Sequence, residues 1–264
     1  MVDSFFKDQV AIVTGASKGL GKAISSALAD RGVSIVLADI DRDEGQKAAE
    51  EIGKKGGQAI FINCDVKVES DIIALIDKVI AEYERIDILV NNAGIGAIAP
   101  TWEFPSKAWD DIMAVNLRGA FLCAKYTVPQ MIKQKSGRII NIASGLGKQA
   151  QPLMCAYSAS KAGMISLTVC LAKETAEYGI NVNAVCPGPV DTAWWDEPRK
   201  TLAKIFNVPE KEVVNTFTQT KQSIKIPLKP EDAANVVCWL CSSDTKLITG
   251  QAISVDGGEA FPTF

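Results

Sequence analysis

The sequence predicts one doubly wound α/β domain spanning residues 1–264, with about seven parallel strands and helices on both faces. Three observations predict it. Near-continuous apolar runs of strand length recur along the chain, amphipathic stretches separate them, and a glycine-rich turn follows the first run. Strands without polar alternation are buried on both faces, as in a parallel sheet covered by helices.

Residues 10–14 (Val-Ala-Ile-Val-Thr) form the first expected strand, and the turn after it leads into a helix over 20–31. A second strand at 33–38 closes on Asp39, followed by a helix over 42–55 and a strand at 59–63. A helix over 69–83 leads to a strand at 88–91, and one long helical pattern covers 107–134. A strand at 138–142, a helix over 156–178 and a strand at 181–185 come next. Each spacing suits a right-handed βαβ crossover. Residues 189–230 break this rhythm with Trp194, Trp195 and several prolines, and are expected to cover a substrate near the sheet's C-terminal edge. A helix over 231–242 and a strand at 252–255 complete the pattern.

Composition excludes several functions. The net charge of -3 provides no basic field for nucleic acid. The opening residues lack a basic region followed by a long apolar run, and no apolar stretch is of bilayer-spanning length. A cytoplasmic protein with no membrane partner is expected. The chain has no histidine, which removes Ser-His-Asp hydrolysis, Cys-His proteolysis and His-ligated zinc together; no metal site is expected. The seven cysteines read as reduced core residues, and Cys238-Trp-Leu-Cys241 as structural rather than redox-active.

Gly15-Ala-Ser-Lys-Gly19-Leu-Gly21 would let the backbone approach a pyrophosphate at a helix N-terminus. It lacks the Gly-Lys-Ser/Thr ending of a nucleoside-triphosphate loop. Asp39 stands where an acid can bond the adenosine ribose and repel a 2′-phosphate, favouring NAD over NADP. Lys18 and Arg42 are cations near enough to weaken that preference. On the 156–178 helix, Tyr157 and Lys161 share one face. A phenol normally titrates near ~10, but a neighbouring ammonium and an oxidised nicotinamide would favour phenolate. Tyr157 could then exchange a proton with an alcohol, while Ser144 bonds the substrate oxygen.

Together, Thr14-Gly-Ala-Ser-Lys-Gly-Leu-Gly21, Asp65, Asn91-Asn-Ala-Gly94, Asn116, Ser144, Tyr157-x-x-x-Lys161, Pro187-Gly188 and Val255-Asp-Gly-Gly258 resemble the short-chain dehydrogenase/reductase family over essentially the whole chain. The resemblance implies a Rossmann-like fold and a catalytic set of Asn116, Ser144, Tyr157 and Lys161. In it, Tyr157 is the general acid/base and Ser144 holds the substrate oxygen. Lys161 binds the nicotinamide ribose and lowers the tyrosine pKa, and Asn116 holds a water linking Lys161 to solvent. The implied cofactor contacts are Gly15, Ser17, Lys18, Gly19, Leu20, Gly21, Asp39, Ile40, Asp65, Val66, Asn91, Ala93, Gly94, Tyr157, Lys161, Pro187, Gly188, Val190 and Thr192. A homotetramer packed through the 107–134 and 156–178 helices is also implied.

The expected reaction interconverts a secondary alcohol and a ketone, and the chain looks most like members acting on small polyols, diols or acetoin-like hydroxyketones. Trp194 and Trp195 are candidate substrate contacts, equally consistent with packing inside the lid. Rival readings within the family are a 3-oxoacyl thioester reductase, whose usual NADP preference Asp39 opposes, and a steroid or cyclic-alcohol dehydrogenase. A dehydratase or epimerase using NAD transiently is a further alternative. A non-catalytic nucleotide sensor on this fold would lack Tyr157, Lys161 or Ser144, and all three are present.

Overall fold

The computed structural model describes residues 5–259, so 1–4 and 260–264, the ends of the predicted domain, lie outside the described residues. The chain runs β1 (Val10–Thr14), α1 (Gly19–Ala29), β2 (Ser34–Asp39), α2 (Arg42–Lys54), β3 (Ala59–Asn63), α3 (Glu69–Tyr83) and β4 (Ile88–Asn91). Then follow α4 (Ser106–Met113), α5 (Gly119–Gln134), β5 (Gly137–Ile142), α6 (Cys155–Thr175) and β6 (Ile180–Pro187). The remainder is α7 (Asp196–Phe206), α8 (Val213–Lys221), α9 (Pro230–Cys241) and β7 (Ala252–Val255). The seven strands form one parallel sheet ordered β3-β2-β1-β4-β5-β6-β7.

Strand periodicity sends alternate side chains to opposite faces and so builds two cores. Ala11 and Val13 of β1 pack with Leu28 of α1, Ile52 of α2 and Val237 of α9. Val10 and Ile12 pack on the other face with Leu75 of α3, Leu122 of α5 and Ala172 of α6. Burying each large aliphatic side chain contributes about 1.5–3 kcal/mol, so the sandwich of sheet and helices is the main source of stability. Strand order reverses between β1 and β4, which opens a crevice beyond their C-terminal ends.

Three expectations need correction. The single helix over 107–134 is instead α4, a π-helical turn at Ala114–Arg118, and α5. The wider turn carries Asn116, whose buried amide bonds to Ile95 and Ser160 on neighbouring elements; π-helical turns of this kind are frequent at functional sites. The segment Cys155–Tyr178, made of α6 and a 3-10 turn, is long and apolar enough to cross a membrane by length and composition, contrary to the reading of the sequence. It lies against the sheet, with Ala172 in the core. Finally, Cys170 is exposed and Cys155 half-buried, while Cys64, Cys123, Cys186, Cys238 and Cys241 are buried and free. The apolar run at Cys170 spans several faces of a helix, only some of which meet the sheet.

Between β6 and α9, in the segment expected to form a lid, α7 and α8 enclose a small core of Trp195, Leu202, Val213 and Val214. A parallel bridge between Val190 and Leu228 closes its base. The crevice floor is tied together by Thr14, whose hydroxyl accepts from the backbone N–H groups of Asn92 (3.0 Å) and Ala93 (3.1 Å). Replacing Thr14 with Val keeps the shape and orphans both donors. We expect it to lower stability by about 2 kcal/mol; a urea midpoint equal to wild type would contradict this account.

Candidate active site

The turn from β1 into α1 bends through Gly15 (φ 61°) and Gly19 (φ 57°), left-handed conformations that glycine adopts without penalty. Gly21 has no alternative: a Cβ there would lie 2.1 Å from the Gly15 carbonyl oxygen. No side chain caps the start of α1, so its first N–H groups remain available to an anion. Asp39, at the end of β2, is held by three donors. Its Oδ2 accepts from Ser17 N (2.9 Å) and Ser17 Oγ (2.7 Å), and its Oδ1 accepts from Asp41 N (3.0 Å). The nearby cations are engaged elsewhere, Lys18 with Asp41 at 3.9 Å and Arg42 with Asn63 at 3.1 Å.

A cleft of about 970 Å³ runs from this turn to the lid. The half nearer the glycine turn is lined by Gly15, Lys18, Gly19, Leu20, Gly21, Asp39, Ile40, Asp65, Val66, Ala93 and Gly94, all expected cofactor contacts. Ser144, Tyr157, Lys161, Pro187, Gly188, Val190, Thr192, Trp194 and Trp195 line the rest. A glycine cradle, an open helix start and a fixed acid at the end of β2 suit a dinucleotide.

Three predicted residues do not line the cleft. Ser17 is buried with its hydroxyl spent on Asp39, so it sets the carboxylate's position. Asn91 is turned into the sheet, donating to Asn141 Oδ1 at 2.8 Å, and its neighbour Asn92 takes the cleft wall. Asn116 is fully buried: its Oδ1 accepts from Ile95 N (2.9 Å), and its Nδ2 donates to Ile95 O (3.0 Å) and Ser160 Oγ (3.0 Å). Ser160 in turn donates to the Tyr157 carbonyl at 2.7 Å. The Asn116 side chain therefore ties the loop after β4 to the helix turn that carries Tyr157.

Ser144 follows β5 in extended geometry, and its Oγ accepts from Leu146 N at 3.1 Å. Lys161 is buried, donates from Nζ to the Ile142 carbonyl at 2.6 Å, and lies 5.6 Å from the centre of the Tyr157 ring. Burial pulls the Lys161 ammonium down to about 8. Burial also pushes the Tyr157 phenol up to about 12, against the lowering influence of the Ser144 hydroxyl. Within the protein alone, desolvation thus outweighs the acidifying effect expected from the lysine. A cation bound beside the ring would act in the opposite sense and favour phenolate.

The two lid tryptophans separate in role. Trp195 is buried in the lid core and donates from Nε1 to the Val190 carbonyl at 2.8 Å. Trp194 sits with its ring 5.0 Å from that of Tyr157, inclined at 54°. It fits there because residue 96 is glycine: a Cβ at that position would lie 2.5 Å from the indole. Sequence reasoning missed Gly96 and Leu153, both in the cleft wall. Gly96 left a trace, being the second glycine of Gly94-Ile-Gly96. Leu153 left none, since its left-handed backbone (φ 70°) is foreign to leucine.

A family model described as short chain dehydrogenase matches residues 9–203. A short-chain dehydrogenase/reductase of Armillaria gallica is 40% identical over 264 residues, covering 98% of each chain. A diacetyl reductase, (S)-acetoin forming, of Staphylococcus epidermidis is 36% identical, covering 95% of this chain and 98% of its own. A 3-oxoacyl-[acyl-carrier-protein] reductase of Thermotoga maritima is also 36% identical, over 95% of this chain and 97% of its own. Among solved structures, a variant of actinorhodin polyketide ketoreductase with NADPH superposes with a TM-score of 0.91 at 34% identity, covering 96% of this chain and 97% of that one. With its sheet, its glycine turn and its Tyr157–Lys161 pair in one cleft, this chain belongs to the short-chain dehydrogenase/reductase family, and it is an oxidoreductase.

Proposed function

We propose that the protein interconverts a secondary alcohol and a ketone with NAD(H), the substrate being a small polyol, diol or hydroxyketone. One observation carries the reading: Tyr157, Lys161 and Ser144 face the same cleft as the glycine cradle and Asp39. The diacetyl reductase among the relatives supports the substrate class. In this reading the whole chain is one catalytic domain, and residues 189–230 cover the substrate. The chain assembles as a homotetramer through the helical stretches 107–134 and 156–178, and the exposed Trp109 and Phe121 on the first support this.

When bound, the nicotinamide supplies or accepts the hydride. The chain's own residues orient the reactants and move the proton. Gly15, Gly19 and Gly21 admit the pyrophosphate against the start of α1, and Asp39 bonds the adenosine ribose. Asp65 and Val66 contact adenine, while Val190 and Thr192 meet the carboxamide. Ser144 donates its hydroxyl to the substrate oxygen. In ketone reduction Tyr157 gives its phenolic proton to that oxygen as the carbonyl bond becomes a C–O single bond; alcohol oxidation runs the same transfer backwards. Lys161 holds the nicotinamide ribose and provides positive charge beside the phenol. Asn116 positions the loop and helix around them and anchors the water route to Lys161.

Tyr157→Phe removes the transferable proton without changing the ring, and we expect kcat to fall by about 10²–10⁴-fold with NADH binding intact. Retained turnover in that variant would sink the mechanism. Asp39 is expected to favour NAD over NADP in kcat/KM by about tenfold or more, since two charges near 4 Å repel by ~1–4 kcal/mol at surface dielectrics. Asp39→Ala should narrow the ratio; a wild-type preference for NADP would refute the assignment.

The lowered lysine has a pH signature. Between about 8 and its ordinary value of 10.5, Lys161 carries fewer protons in the folded state than in the unfolded state. Folding stability therefore gains with rising pH across that window. Relative to Lys161→Met, the wild-type denaturation midpoint should move upward from pH 8 to 10.5. A constant difference between the two proteins would show that the ammonium is not desolvated.

A further inference from the structure

The lid-side wall of the cleft is built at a conformational cost. Leu153 holds a left-handed backbone at φ 70°, which L side chains disfavour, and glycine would take it freely. The distortion is fixed by a hydrogen bond from Ala99 N to the Leu153 carbonyl at 3.0 Å, linking the loops after β4 and β5. Leu153 itself lines the cleft. Strain of this kind persists where surrounding structure imposes it, often at ligand sites. Independently, the Trp194 indole packs on Tyr157 at 5.0 Å and against Gly96, where even a Cβ would collide. Met154 and Phe217 extend the apolar wall, whereas Asp196 and Lys221 on the lid are exposed to solvent.

We infer that Leu153 and Trp194 are specificity-determining residues forming an apolar slot beside Tyr157 for an alkyl group of the carbonyl substrate. The slot selects alkyl-substituted diketones and hydroxyketones over polyols. A polyhydroxylated chain placed there would lose hydrogen bonds to water and find no partners on an isobutyl and an indole. An alkyl group would instead leave water for an apolar wall. The inference rests on the alcohol–ketone reading above and narrows its substrate class.

The test compares wild type, Leu153→Gly and Trp194→Ala on diacetyl, 2,3-hexanedione and erythrulose, following NADH oxidation. Wild type should prefer both diketones to erythrulose in kcat/KM. Leu153→Gly should melt no lower than wild type, because glycine accepts the left-handed backbone, yet its KM for the diketones should rise about tenfold. Trp194→Ala should raise the same KM values, and both variants should lose more kcat/KM on the diketones than on erythrulose. Calorimetry of diketone binding to the NAD⁺-loaded enzyme, where no hydride is available, should rank the three proteins in the same order. Unchanged diketone KM and affinity in both variants would overturn the slot, as would a wild-type preference for erythrulose. A fall in melting temperature with no change in KM would mark Leu153 as structural and overturn its role. Diketone binding that weakens in the variants while wild type reduces no carbonyl compound would instead support the slot and overturn the reaction.

Discussion

The hydrogen bonds joining the end of β1 to the end of β4 are the constraint on which the site depends. Thr14 Oγ1 accepts from two backbone donors of the Asn92-Ala93 turn, and Asn92 Nδ2 donates back to the Thr14 and Gly15 carbonyls at 2.9 Å each. These bonds cross the point where strand order reverses. They hold the glycine turn and the Ala93–Gly94 wall at one separation, with Gly15 so close to Ala93 that a Cβ would lie 2.8 Å from its Cα. A crevice formed by diverging connections would otherwise be free to vary in width. Here two short polar side chains, the buried Thr14 and the half-buried Asn92, set it.

Burial gives the far half of the cleft its chemistry. Tyr157 and Lys161 are four residues apart on α6, and desolvation drives each toward its neutral form. A neutral phenol beside a readily neutralised amine is a responsive pair: added positive charge shifts the proton balance more there than it would in water. The supports are equally dry. Lys161 rests on the Ile142 carbonyl, and the Asn116–Ser160 pair anchors the same helix turn to the loop after β4. The π-helical turn at Ala114–Arg118 carries Asn116, whose side chain makes three polar contacts with Ile95 and Ser160.

Much of the fold was legible because strand and helix periodicities are local properties. The bounds of β1, β3, β4 and β7 coincide with the apolar runs at 10–14, 59–63, 88–91 and 252–255. Helix α3 matches its amphipathic stretch in the same way. The break between α4 and α5 was not legible; the residue at its centre, Asn116, bonds to Ile95 and Ser160, distant in sequence. For the same reason Ser17 and Asn91 read as cofactor contacts but face inward, one toward Asp39 and the other toward Asn141. A motif names a residue type at a position without stating which side of the backbone the side chain takes.

By itself, the sequence determined the parallel sheet, the glycine turn, the acid closing β2 and the four-residue spacing of Tyr157 and Lys161, because each depends on neighbours along the chain. Absence of histidine, also a property of the chain alone, narrowed the proton carriers. Tertiary structure decided which of two adjacent tryptophans faces the reacting residues and which packs in the lid. It also decided the strained placement of Leu153 and the direction in which the buried phenol and ammonium shift. Those outcomes depend on what excludes water and what occupies space around a side chain, and such neighbours come from elements far apart in the sequence.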